Sequence, residues 1–138
     1  MPDREPLLTD WLTELITQRG GTLGELNYIF CGDAYLHTLN VEYLQHDTLT
    51  DIITFPYADY PVVSGDLFIS TERVAENAAE FGESYLDELH RVMAHGVLHL
   101  LGQGDKSPSE ATAMREAERW ALSLRINALK GGGAAGGN

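Results

Sequence analysis

Residues 84–101 read SYLDELHRVMAHGVLHLL, the longest apolar stretch in the chain. Its length and composition predict a helix buried on most sides, stopped by Gly102. Such a helix must be covered by other elements, so its neighbours in sequence decide the architecture. Upstream, residues 50–57 (TDIITFPY) and 65–70 (GDLFIS) are rich in β-branched and aromatic residues and read as strands. The short link between them, with Pro61 and Gly65, suits a hairpin-like connection. Residues 71–81 read as a helix ended by Gly82. Further upstream, residues 24–31 (GELNYIFC) read as another strand, and Asp33 can cap a helix running to about Tyr43. Residues 6–18 carry Leu8, Trp11, Leu12, Leu15 and Ile16 at helical spacing, ahead of Gly20-Gly21.

Downstream, Ser107-Pro108-Ser109-Glu110 combines an N-cap, a proline at the first helical position and a capping box, opening a helix to about Leu129. The expectation is one α+β domain over residues 1–130: a small three- to four-stranded sheet packed by about five helices, with residues 131–138 (GGGAAGGN) as a flexible tail.

The chain has 138 residues, enough for a hydrophobic core without disulfide staples. Its 21 acidic residues against nine basic ones give a formal net charge of −12. That balance disfavours nonspecific binding to duplex DNA or anionic membranes, which depends on cationic side chains. No apolar run is long enough for a membrane span, and MPDREPLLTDW lacks the pattern of a signal peptide. A single cysteine, Cys31, excludes an internal disulfide and a cysteine-based zinc cluster. The expected compartment is the cytoplasm. An anionic substrate would need a local positive centre, such as a metal ion.

His95 and His99 lie four residues apart on the predicted central helix, so both rings project from one face with Cβ atoms roughly 5–6 Å apart. Two imidazoles at that separation can hold one zinc-type ion, and they can equally be two packed core histidines. Gly102 and Gly104 permit a sharp reversal that brings Asp105 back toward the pair. Two histidines and a carboxylate leave an open coordination position, the pattern of catalytic zinc sites. The residue after His95 is Gly96, where a zinc protease of the HExxH type needs its glutamate base. Gly96 costs roughly 1 kcal/mol of helix stability relative to Ala. Either a close-approaching substrate or dense helix packing would account for it. Arg91, one turn before His95, can hold a substrate phosphate or pair with Asp87 or Glu88. His90 lies off this face and reads as structural or exposed, while His37 and His46 have no ligand-spaced partner.

The run His95-Gly96-Val97-Leu98-His99-Leu100-Leu101-Gly102 resembles the signature HGxLHLxGYDH of the YbeY family of metal-dependent endoribonucleases. Leu39-Asn40-x-x-Tyr43-Leu44, followed by Asp47-x-x-Thr50-Asp51-Ile52-Ile53-Thr54-Phe55-Pro56, resembles a second family segment. Gly65-Asp66-Leu67-Phe68-Ile69-Ser70 resembles a third, and all three stand in the family's order across residues 25–125.

The resemblance implies one divalent ion, zinc by expectation, held at His95, His99 and a third position where the family has His and this chain has Asp105. Exchanging imidazole for carboxylate adds negative charge and suits harder metals better. It also implies cleavage of single-stranded ribosomal RNA during its maturation and in ribosome quality control. The small ribosomal subunit or its assembly factors would be partners, with no role for DNA or membranes. Many members carry Arg where this chain has Leu44, which leaves Arg91 and Lys106 as the basic residues nearest the metal motif. Members also begin with a strand that pairs into the sheet. Here a helical pattern begins almost at once, implying an uncovered sheet edge.

The expected RNA track runs along the strand of residues 65–70, facing the metal. Thr50 and Asp51 are candidates to shape the cleft, and no side chain stands out as a general base. Two other functions fit parts of the pattern. One is a ribosome-assembly binding factor with a structural metal, consistent with the low basic content. The other is a peptidase-like metallohydrolase, against which Gly96 argues.

Overall fold

A computed structural model describes residues 5–44 and 50–134, with the side chains of residues 8–43 and 50–125. The described elements are α1 (Glu5–Gln18), β1 (Thr22–Cys31), α2 (Asp33–Leu44), β2 (Ile52–Pro56), β3 (Val62–Ser70), α3 (Thr71–Phe81), α4 (Tyr85–Leu100) and α5 (Pro108–Ala134). Five helices around a three-stranded mixed sheet make this an α+β fold, as the sequence predicts. His46 and Asp47 lie outside the described residues. So do residues 135–138 of the glycine-rich end, whose first four residues continue α5.

The strand order is β1-β3-β2. β3 pairs antiparallel with β2, with Thr54 opposite Leu67, and parallel with β1, with Ile29 opposite Phe68. The hairpin matches the expectation. The two outer strands start or stop within two residues of their predicted ends, and β3 begins three residues early, at Val62. Among the described residues β1 has a neighbour on one side only, so that edge is open.

Alternation along β3 divides the molecule into layers. Leu67 and Ile69 are fully buried in the main core with Trp11, Leu15, Val97 and Leu98. Phe68 points the other way, toward Leu36 and Leu39 of α2. Thus α2 covers one face, while α1, α3 and α4 cover the other, and α5 packs outside α1 and α4. The Trp11 indole N–H donates to Ala121 O at 2.7 Å, tying α1 to α5 without leaving a buried donor unsatisfied.

This arrangement corrects the expected RNA track. β3 is the central strand, and on the face that α4 covers Gly65, Leu67 and Ile69 are buried, so no track runs along the metal side of this strand; Asp66 and Phe68, on the α2 face, are half-buried. The helix that carries His95 reaches the sheet's other outer strand instead: a Cβ on Gly96 would stand 2.4 Å from Leu67 Cδ2, 2.8 Å from Ile52 Cδ1 and 3.6 Å from Thr54 Oγ1. Those contacts decide between the two accounts of Gly96. It is there because α4 lies tightly on β2 and β3.

The helix ends follow their sequence signals. Ser84 Oγ accepts from Asp87 N at 3.0 Å, and Ser70 Oγ accepts from Arg73 N at 3.1 Å. At α5, Ser107 Oγ accepts from Glu110 N at 3.1 Å while Glu110 Oε1 accepts from Ser107 N at 3.3 Å, the reciprocal pair of a capping box.

Candidate metal centre

Arg91, His95 and His99 occupy successive turns of one face of α4, a spacing that stacks them along the helix. The two imidazole rings stand 4.5 Å apart between centroids and nearly perpendicular, at 82°. The chain then reverses at Gly102, whose φ of 98° is open to glycine at little cost. Gly102 N and Gln103 N return to His99 O and Leu98 O, each at 2.9 Å. Gly104, also expected to serve the reversal, is not left-handed. It is small because the Glu110 carboxylate lies 2.8–3.0 Å from where a Cβ would be.

The reversal delivers Asp105 to the histidines. Its Oδ2 lies 3.5 Å from His95 Nε2 and 3.3 Å from His99 Nε2, and the three donor atoms fall within 4.8 Å of one another. A tetrahedron with bonds of about 2.0–2.1 Å has edges of about 3.3–3.4 Å. The two Asp105–histidine separations match it, so this donor set fits a divalent ion. The side chains of His95, His99 and Asp105 are 20%, 31% and 34% exposed, leaving one side of the trio accessible.

Glu118, on α5, was missed by the sequence reading. It is 5% exposed, and its Oε2 accepts from His95 Nδ1 at 2.5 Å. That contact holds the ring with Nε2 turned toward Asp105, the orientation a metal ligand needs. A signal was present: Glu118 falls within the buried stripe of Met114, Ala117 and Ala121, where a charge needs a partner. Burial pushes its carboxyl up, but the His95 hydrogen bond and the Arg91 guanidinium more than offset this and hold it below its ordinary value.

Arg91 pairs with Glu88, one of its two expected partners, through Nε (3.0 Å) and Nη2 (2.7 Å). Its Nη1 donates to Glu118 Oε1 at 3.0 Å, and Asp51 Oδ2 stands 3.7 Å away. Asp87, the other expected partner, is taken by Arg125 at 2.8 Å. The hydrogen bonds that Arg91 donates to Glu88 raise its pKa well above its ordinary value, so it stays charged. Three carboxylates around one guanidinium leave this region net negative, which attracts a cation to the trio. Asp51 is raised by burial, which outweighs the pull of Arg91 and His95. Lys106 follows Asp105 on the exposed loop, with its backbone N–H on Glu110 Oε1 at 3.2 Å. His90 is buried, at 6% exposure, against Trp11.

The sequence pattern of the family described as Endoribonuclease YbeY matches residues 4–124. The chain belongs to the YbeY family. An Endoribonuclease YbeY of Flavobacterium johnsoniae is 53% identical over 116 residues, covering 84% of each chain. One from Bacteroides thetaiotaomicron is 49% identical over 126 residues, covering 91% of this chain and 92% of the relative. A solution structure of a Thermotoga maritima protein superposes with a TM-score of 0.66 at 25% identity, covering 95% of this chain and 87% of that one. The family-like run from His95 to Gly102 covers the end of α4 and the turn after it, and Asp105 completes the group of three side chains that could hold a metal ion.

Proposed function

We propose that this YbeY-family chain is a metal-dependent, single-strand-specific endoribonuclease that acts in ribosomal RNA maturation and ribosome quality control in the cytoplasm. Its partners are the small ribosomal subunit or assembly factors. The observation that carries the metal dependence is the convergence of His95, His99 and Asp105, with His95 braced from behind by Glu118. Zinc is the expected ion, on the strength of two imidazoles and one carboxylate. When bound, it supplies Lewis acidity toward a phosphodiester oxygen and a water.

The chain's own residues do the rest. Glu118 holds the His95 ring in one tautomer, and Arg91 keeps Glu118 ionised by standing 3.0 Å from it. Asp105 brings the charge that two neutral imidazoles lack. Partial exposure of all three donors supports a catalytic site over a structural one, since structural zinc sites are closed by four protein ligands. The same observation weighs against the alternative of a binding factor with a structural metal. Among the described residues no helix is long and apolar enough to cross a membrane.

The test is cleavage of a single-stranded oligoribonucleotide by metal-replete protein, with chelator, and by His99→Ala, alongside metal content. A fall of at least about 10³-fold is expected from both perturbations, the scale of losing an essential metal's contribution of several kcal/mol. Unchanged cleavage would overturn the metal mechanism. Co-sedimentation with small subunits that survives metal removal, without cleavage in any sample, would favour the binding factor.

A further inference from the structure

The chain has only nine basic residues against 21 acidic ones, yet its cations are not all neutralised. Arg73 pairs with Asp33, Arg125 with Asp87, and Arg91 with three carboxylates. Arg115 and Arg119 are exposed on α5 and, among the described residues, have no carboxylate within ion-pair distance. They also stand four residues apart on one helix face, a like-charge spacing that is unfavourable on its own.

Their position is informative. At about 100° per residue, Arg115 and Arg119 lie about 60° and about 100° around α5 from Glu118, on one side of it. The opposite flank of α5 is occupied by α1: Trp11 bonds Ala121 O, and the Arg19 guanidinium sits 4.9 Å above the Trp120 ring. Glu118 itself touches His95 and Arg91. The two arginines therefore lie on the flank of α5 away from α1, a short step around the helix from Glu118. Lys106 lies just before the same helix, next to Asp105.

We propose that Arg115 and Arg119 bind phosphates of the single-stranded RNA flanking the scissile bond, along the α5 side of the metal centre. This rests on the endoribonuclease reading. It moves the main phosphate contacts from Arg91, whose donors are already taken by Glu88 and Glu118, to the two arginines that have no carboxylate partner among the described residues. It also reconciles an acidic chain with an anionic substrate, because the positive charge is concentrated on one strip.

The test is steady-state cleavage of a fluorescent single-stranded oligoribonucleotide by the metal-loaded protein at several salt concentrations. Arg115→Gln/Arg119→Gln is expected to raise KM about ten-fold with kcat within about twofold. The slope of log kcat/KM against log salt should fall by about 1.4, the yield of two lost phosphate contacts on a single strand. Arg115→Lys/Arg119→Lys should restore most of the KM and the slope. Arg19→Gln, on the other flank of α5, should match wild type. Wild-type KM and slope in the double Gln variant would overturn the proposal alone. So would a fall in kcat accompanied by loss of bound metal, which would mark a structural role. Wild-type protein that neither cleaves nor, by fluorescence anisotropy, binds this RNA would overturn the endoribonuclease reading and this proposal together.

Discussion

α4 and α5 are joined by two clusters built from the same three kinds of group. Near the start of α4, Arg125 Nη1 donates to Asp87 Oδ1 at 2.8 Å and to His90 Nδ1 at 3.1 Å. Toward its end, Glu118 accepts from His95 at 2.5 Å and from Arg91 at 3.0 Å. Each has a histidine, an arginine and a carboxylate bridging the helices. They differ in what the histidine ring meets beyond the cluster. His90 is enclosed, with its ring 5.6 Å from the Trp11 centroid. His95 turns Nε2 outward to Asp105 and His99, on a side open to solvent. They also differ in charge. Among the described residues one carboxylate answers Arg125, whereas three surround Arg91. The same kinds of group thus make a packing clamp at one end and a cation-binding frame at the other. The distinction lies in the second ring nitrogen and the surplus of negative charge.

The largest effect that separates the two clusters should come from Glu118→Gln. The amide keeps the shape but cannot hold His95 as strongly as a carboxylate. Metal affinity or cleavage should fall about 10–100-fold, as for other residues behind a metal-bound imidazole. Isothermal titration with metal and RNA cleavage both check it. The variant also has a pH signature in metal-free protein. Glu118 is held below its ordinary value of 4.5, so it contributes stability that is complete above that pH and is lost as pH falls through its lower native value. Unfolding midpoints measured down the acid side should therefore drop less steeply in Glu118→Gln. Asp51 acts in the opposite sense: burial raises it, so its contribution weakens the fold as pH climbs from 3.8 through its native value. A Glu118→Gln protein with wild-type metal affinity would erase the distinction between the clusters.

Next is Gly96→Ala, which probes how α4 is seated. The new Cβ would press on Leu67 Cδ2 and Ile52 Cδ1, both ends of side chains that can shift. Overpacking costs about 1–3 kcal/mol, and the gain in helix propensity returns roughly 1 kcal/mol. A net loss of up to about 2 kcal/mol in urea unfolding is expected, with metal affinity changed less than about ten-fold. A gain in stability would show that the helix has room to spare.

The part of this molecule legible in sequence is the part encoded locally. The capping box at Ser107 and Glu110, the helical stripe from Leu8 to Ile16 and the spacing of His95, His99 and Asp105 each depend on residues a few positions apart. Glu118 depends on α5 docking against α4, 23 residues from its partner, and its only local sign was a charge in a buried stripe. The RNA track was misplaced for a related reason. Residues 65–70 were correctly read as a strand, but their central position follows from β1 pairing parallel with β3 across 30 or more residues of chain, which no local pattern specifies. Arg91 was caught halfway: Glu88 is one turn away and was legible, while Asp51 and Glu118 come from other elements.

The smallest effect should come from Asp87→Asn, at the clamp without a metal. The Asp87 side chain is 46% exposed, so solvent screens its pair with Arg125. Partly exposed pairs of this kind contribute about 0–1 kcal/mol. The amide oxygen can still accept from Arg125, and the Asp87 backbone N–H still caps α4 through Ser84 Oγ. Stability should therefore fall by less than about 1 kcal/mol, with cleavage and metal affinity at wild-type values. The contrast with Glu118→Gln is the informative part, because both substitutions remove one charge from an arginine–carboxylate–histidine cluster on the same pair of helices. If Asp87→Asn reduced metal affinity as much as Glu118→Gln, the two clusters would be one coupled unit, and the orientation of the His95 ring would not be what sets the metal end apart.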